Sequence, residues 1–203
     1  MKIGILGGTF NPIHNGHLYI AAEAYRQLGL DTVWIMPDGI PPHKGLESNV
    51  TRFERIEMCE AAVKSIPYMK VSDTEIRSDG RSYSYLTLTR LKEMHPDDEL
   101  FFIIGEDSLD MFSSWVHPEI IAKAVTLAVA VRHDDDVVRD TLSMCSQLKA
   151  QFGARIELLE TEYMDISSSE IRDLLSGGIY PGSLGKLKHN ASFSGSNSFS
   201  DTD

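Results

Sequence analysis

The stretch Gly7-Gly8-Thr9-Phe10-Asn11-Pro12-Ile13-His14-Asn15-Gly16-His17 constrains this chain more than any other, because of what stands on either side of it. Before it, Ile3 to Leu6 is a short apolar run that reads as a buried strand; after it, from Leu18, apolar residues recur at helical spacing. Strand, glycine-rich turn and helix in that order predict the opening unit of an α/β sheet. The turn also carries a chemical meaning. A helix N-terminus presents unpaired backbone N–H groups and the positive end of the peptide dipoles, so an anion placed against Gly16 and His17 is stabilised without any side chain. Gly8 and Gly16 are expected to let backbone and ligand approach closely. His14 and His17, three residues apart, add two donors of adjustable charge to the same pocket. A phosphate chain fits this description.

Other readings of the same residues are weaker. A Gly-Gly turn after a first strand also occurs in α/β proteins that bind no nucleotide. The His-x-x-His pair could hold zinc, but such a site needs a third and usually a fourth ligand, and neither Cys59 nor Cys145 is near one. No metal site is assigned. The order of glycines is neither the G-x-G-x-x-G of dinucleotide folds nor a P-loop, which ends in Gly-Lys-Ser/Thr.

The rest of the chain repeats the strand and helix alternation. Asp31 to Met36 reads as a second strand, and Thr51 with Glu54 as a capping box. The helix behind that box is expected to bury Phe53, Ile56, Met58, Cys59, Ala62 and Val63, leaving Arg52 and Arg55 on its wet face. Met69 to Val71 forms a third strand, and Ser82 is expected to cap a helix with a stripe of Tyr85, Leu86, Leu88 and Leu91. Leu100 to Ile104 is continuously apolar, the mark of a central parallel strand covered on both faces. Gly105 and Asp107 follow it, where open α/β sheets receive ligands, although Asp107 also suits a plain helix cap. Ala124 to Val131, a helix from about Val137 to Phe152, and Ile156 to Leu159 complete the series. One doubly wound, open parallel sheet is expected over about residues 1–180, with 181–203 a divergent or disordered tail. From Ser192 onward the only large apolar residues are Phe193 and Phe199.

Charge and cysteine usage narrow the partners. Thirty acidic against 19 basic residues give a formal net charge of −11, which disfavours nucleic acid and anionic membrane surfaces. Two cysteines distant in sequence suit free thiols in a reducing compartment, and no run has the length of a membrane span or the form of a signal peptide. A cytoplasmic protein is expected, and a homo-oligomer is neither required nor excluded.

Gly7 to His17, followed by Pro41-Pro42-His43-Lys44 and by Ile166-Ser167-Ser168-Ser169-Glu170-Ile171-Arg172, resembles the signature of the nucleotidyltransferase superfamily. Within it, the full string is similar to the bacterial nicotinate mononucleotide adenylyltransferases, in register from Met1 to about Leu175. The resemblance implies a Rossmann-like fold and transfer of the adenylyl group of ATP to a pyridine mononucleotide. It implies catalytic roles for His14, His17, Lys44 and Arg172. ATP contacts are implied for Gly7, Gly8, Thr9, Phe10, Gly16, Gly105, Asp107, Ile166, Ser167, Ser168 and Arg172. Mononucleotide contacts are implied for Asn11, His43, Lys44, Ser84, Trp115 and Arg132, with Trp115 stacking on the pyridine ring. Mg2+ is expected on the ATP phosphates, since the chain shows no carboxylate cage of its own.

The sequence departs from the family pattern in three places. Ser84 replaces the usual threonine, keeping the hydroxyl and losing the methyl. His133-Asp134-Asp135-Asp136 follows Arg132 where proline and glycine are usual, and past Leu175 the match ends. Two rivals therefore stay open: pantetheine-phosphate adenylyltransferase, which shares the H-x-G-H loop and a Ser-Ser-x-x-x-Arg helix, and a nucleotide-binding module without catalysis.

Overall fold

A computed structural model describes residues 1–40, 50–78, 80–132, 135–162 and 167–176, without the side chains of Arg132, 135–139 and 173–176. Six strands, β1 (Lys2–Gly8), β2 (Thr32–Pro37), β3 (Met69–Val71), β4 (Glu99–Gly105), β5 (Thr126–Arg132) and β6 (Arg155–Thr161), form one sheet in the order β3-β2-β1-β4-β5-β6. Every pairing is parallel. Between them run α1 (Asn15–Leu28), α2 (Arg52–Val63), α3 (Ser84–Met94), the short α4 (Glu106–Asp110), a 3₁₀ turn (Phe112–Ser114), α5 (Pro118–Ala124) and α6 (Asp135–Phe152); α7 (Ser168–Ser176) follows β6. Strand order reverses between β1 and β4, and the carboxyl ends of those two strands diverge into a crevice where doubly wound sheets bind ligands.

Alternation along the strands divides the core into two layers. Ile3, Ile5, Phe102, Ile104, Leu127 and Val129 face Leu88 and Leu91 of α3, Ile121 of α5 and Leu148 of α6. Leu6, Val33, Ile35, Phe101, Ile103 and Ala128 face Ala21 and Ala24 of α1 and Cys59 of α2. Gly4 is required by this packing, since a Cβ there would stand 2.7 Å from Leu30 Cδ1. Gly29 ends α1 in the left-handed conformation (φ 60°).

Several local expectations need correction. The stripe that α2 buries is Arg55, Cys59 and Val63, at i, i+4 and i+8. Phe53 lies on the opposite side and is 60% exposed, with the Arg52 guanidinium 5.2 Å over its ring. Arg55 is not on the wet face at all: it is 0% exposed. Ser82 does not cap α3. Tyr83 holds that position, and the Ser82 hydroxyl accepts from the Gly39 N–H at 2.8 Å. Leu86 is exposed, so the stripe of α3 reduces to Leu88 and Leu91 with half-buried Tyr85. Gly105, not Asp107, stands at the cap of α4. Residues 118–124, unassigned from sequence apart from Ala124, are the helix α5, entered through His117 at φ 56°.

Candidate active site

The site starts where β1 ends. Gly8 leads into Thr9 and then Phe10, whose φ of 47° is left-handed backbone that a bulky residue adopts only under constraint. The ring of Phe10 is buried against Gly8, where an added Cβ would meet it at 3.0 Å. A side chain at position 8 would thus collide with Phe10, while the Gly8 backbone still borders the cleft described below. The same ring meets His17 edge-on at 5.0 Å. His14 is the extended N-cap residue of α1, and its backbone N–H donates to His17 Nδ1 at 3.2 Å. The two imidazoles stack, with centroids 3.7 Å apart. Burial, followed by the neighbouring His14, pushes His17 down to about 3, and burial lowers His14 as well. Both rings are neutral near pH 7. His14 Nδ1 is buried without a hydrogen-bond partner.

The N-terminus of α7 lies against the same loop. Ser167 and Glu170 form the expected box: the Ser167 hydroxyl donates to Glu170 Oε2 at 2.7 Å, and the Glu170 N–H donates to Ser167 Oγ at 3.2 Å. The Ser168 hydroxyl donates to the Pro12 carbonyl at 2.8 Å. Arg172 donates through Nη1 to the Asn11 carbonyl at 2.6 Å and through Nη2 to Ser169 Oγ at 2.9 Å. Two helix N-termini therefore meet over Asn11 to His14, with the positive ends of both dipoles on one side.

Beside this junction a cleft of about 280 Å3 opens at the carboxyl ends of β1 and β2. Gly7 and Gly8 form its floor. Phe102, Trp115, Met36, Leu88 and Ile121 give it apolar walls, and Asp38, Glu75, Ser82 and Ser84 are its polar groups. Trp115 is half-buried; it meets Phe112 at 5.5 Å and Phe102 at 6.2 Å, so it packs on the core and lines the cleft at once. Asp38 is held from three directions. Its N–H donates to the Gly8 carbonyl at 2.9 Å, and its carboxylate accepts from Thr9 Oγ1 at 2.9 Å and from Arg55 Nη1 at 2.8 Å. Glu75 is 7% exposed; burial raises its pKa against the opposing hydroxyls of Thr87 and Ser82 and the Gly39 N–H.

Of the residues singled out from sequence, two groups gather here. Gly7, Gly8, Thr9, Phe10, Asn11, His14, Gly16, His17, Ser167, Ser168 and Arg172 form the junction, and Ser84 and Trp115 stand on the cleft. Gly105 faces open space, with no atom within 4 Å of where a Cβ would stand, and Asp107 is exposed on α4. Arg132 ends β5, but its side chain lies outside the described residues, as do His43, Lys44 and Ile166 altogether. Asp38, Arg55 and Glu75 escape a reading of the sequence. Asp38 has a legible signal, a carboxylate just past the end of a strand. Among the described residues, no three His, Cys, Asp or Glu side chains group to hold a metal ion, and no helix is long and apolar enough to cross a membrane.

The cytidylyltransferase-like family matches residues 5–174 of this chain. A probable nicotinate-nucleotide adenylyltransferase of Lachnoclostridium phytofermentans is 37% identical over 177 residues, covering 87% of this chain and 88% of that protein. Its counterpart in Citrifermentans bemidjiense is 41% identical over 197 residues, with 88% of each chain covered. Among solved structures, the Plasmodium falciparum nicotinic acid mononucleotide adenylyltransferase complexed with NaAD shares the fold, at a TM-score of 0.70 and 21% identity over 88% of each chain. On the strength of that match along most of its length, this chain belongs to the cytidylyltransferase-like family, beside its nicotinate-nucleotide adenylyltransferase members.

Proposed function

We propose that the chain transfers the adenylyl group of ATP to nicotinate mononucleotide, forming nicotinate adenine dinucleotide and pyrophosphate. One observation carries the reading: two helix N-termini and a pair of imidazoles converge on one loop, and an aromatic cleft opens next to it. The first part suits a polyphosphate and the second a flat ring. The names borne by the bacterial relatives supply the pyridine mononucleotide.

The phosphate of the mononucleotide is already an anionic nucleophile, so no general base and no covalent intermediate are needed. One of its oxygens forms a bond to the α-phosphorus of ATP. The bond to the bridging oxygen breaks, and its electron pair leaves with pyrophosphate. What the protein supplies is alignment and relief of the charge that grows on the α-phosphate and the leaving group. The first-turn N–H groups of α1 and α7 point at that charge. Neutral His17 accepts at Nδ1 from the His14 backbone, so its own proton is on Nε2 and available as a donor. Lys44 and Arg172 would add positive charge, and His43 would contact the mononucleotide. Magnesium would travel with the ATP phosphates, adding charge neutralisation on the leaving pyrophosphate, and its ligands would be substrate oxygens and water.

A nicotinate ring brings a carboxylate to a cleft that already contains two carboxyl groups. Asp38 is paired with Arg55, which offsets one of those charges, and burial raises the pKa of Glu75. The reading is tested by pyrophosphate release from ATP with a panel of acceptors. Nicotinate mononucleotide is expected to give the highest kcat/KM; an equal or higher value with 4′-phosphopantetheine would count against the reading.

A further inference from the structure

Among the described residues Arg55 is the largest side chain fully withdrawn from solvent, it does not line the cleft, and the transfer chemistry makes no use of it. A guanidinium out of water is tolerated only where its donors are matched. Four of its five N–H groups are. Nη1 donates to the Thr9 carbonyl at 2.6 Å and to Asp38 Oδ1 at 2.8 Å; Nη2 donates to the Asp38 carbonyl at 2.6 Å and the Gly39 carbonyl at 2.9 Å. Only Nε has no partner. These acceptors belong to two loops, the one after β1 that runs on to His14 and His17, and the one after β2 whose Asp38 faces the cleft. Thr9 Oγ1 to Asp38 and the Asp38 N–H to Gly8 O join the same loops again.

We infer that Arg55 is a positioning residue, fixing the loop that receives the polyphosphate to the loop that borders the mononucleotide cleft and so setting the distance between donor and acceptor. The inference rests on the proposed two-substrate reaction. In-line displacement needs the reacting atoms close to contact, and a misplacement of about 1 Å can cost on the order of 10²-fold in rate. The Arg55 guanidinium itself does not line the cleft, and it acts on the spacing between the two loops. Loss of the strap should therefore lower kcat while leaving both KM values nearly unchanged. Lysine cannot stand in, because one ammonium cannot reach four acceptors fanned around a guanidinium plane.

The test is Arg55→Lys, with kcat expressed per folded molecule and both KM values measured beside the parent enzyme. A fall in kcat of about 30-fold or more, with each KM within about threefold, is expected. A kcat within threefold of the parent, or a loss confined to one KM, overturns the inference. An inactive parent would instead count against the proposed reaction, so the two failures are distinct. Amide exchange of the folded variant gives a reading independent of turnover: segments 8–12 and 36–40 should speed up together, and acceleration in only one overturns the coupling. Should Arg55→Lys not fold, Thr9→Val removes one tie between the loops and leaves Arg55 in place. It should lower kcat by roughly threefold to tenfold, the scale of one hydrogen bond; an unchanged kcat, or an effect on the KM for ATP alone, overturns the inference.

Discussion

His17 is closed off at Nδ1 by the backbone N–H of the residue that starts its own helix, and Phe10 fixes the ring from its edge. On the proposed reaction a donor fixed in this way is aimed at developing transition-state charge, so His17→Ala is expected to lower kcat by roughly 10²- to 10³-fold, about 3–4 kcal/mol. A drop of tenfold or less in a folded variant would give His17 a lesser role. Its titration makes a second prediction. The folded-state pKa of about 3 lies below the ordinary value of 6.5, so the unfolded chain binds the proton first as pH falls. The corresponding stability is complete above pH 6.5 and is lost progressively towards pH 3. Between pH 6.5 and 5 the loss is roughly 1–2 kcal/mol. Denaturation of the parent and His17→Gln at both pH values checks this, since the variant should lose less. Trp115 is the third residue-scale case, half on the core and half on the cleft. Trp115→Ala should weaken the mononucleotide by roughly 1–3 kcal/mol with little change in the KM for ATP. Its cost in stability should stay under the roughly 3–5 kcal/mol of a fully buried aromatic; a larger cost with unchanged relative affinities would return Trp115 to the core.

Among the elements, α2 shows what periodicity reveals and what it hides. The Thr51 and Glu54 box is legible from spacing and is present, with Thr51 Oγ1 accepting the Glu54 N–H at 3.2 Å and Glu54 Oε2 accepting the Thr51 N–H at 2.7 Å. Thr51→Ala should cost about 1 kcal/mol in denaturation experiments. The buried stripe is not legible in the same way, because residue type puts phenylalanine inside and arginine outside. What reverses them is a set of backbone carbonyls on Thr9, Asp38 and Gly39, acceptors that a sequence does not display by residue type. Glu75 is hidden for the same reason, since its environment is assembled from Gly39, Ser82 and Thr87 on other elements. α5 escapes because seven residues scarcely fill two turns and the long apolar run beside them reads as strand throughout. In contrast, β1 and β4 follow directly from continuous apolar runs, and the first helix from apolar residues at helical spacing.

Across the whole molecule, the parallel order and the reversal between β1 and β4 put the junction and the cleft at one end of the sheet, as the alternation of strands and helices implies. We take residues 1–180 as one catalytic unit; the last part of that span and everything after it lie outside the described residues. Removing Ser192 to Asp203 is expected to leave the melting temperature within a degree or two and kcat unchanged, as changes away from packed surface usually shift stability by under about 0.5 kcal/mol. A large shift would show that the tail docks. At the sheet's edge, Gln27 of α1 donates to the Glu160 carbonyl at 2.8 Å and accepts the Glu160 N–H at 3.1 Å, and Tyr19 Oη takes the N–H of Glu162 at 3.0 Å. Among the described residues β6 is an edge strand, and at Glu160 a side-chain amide occupies the backbone pair that a further strand would use. A strand laid against this end of β6 would first have to displace Gln27 from Glu160, and Gln27→Glu, which sets an oxygen against that carbonyl, is expected to loosen this margin.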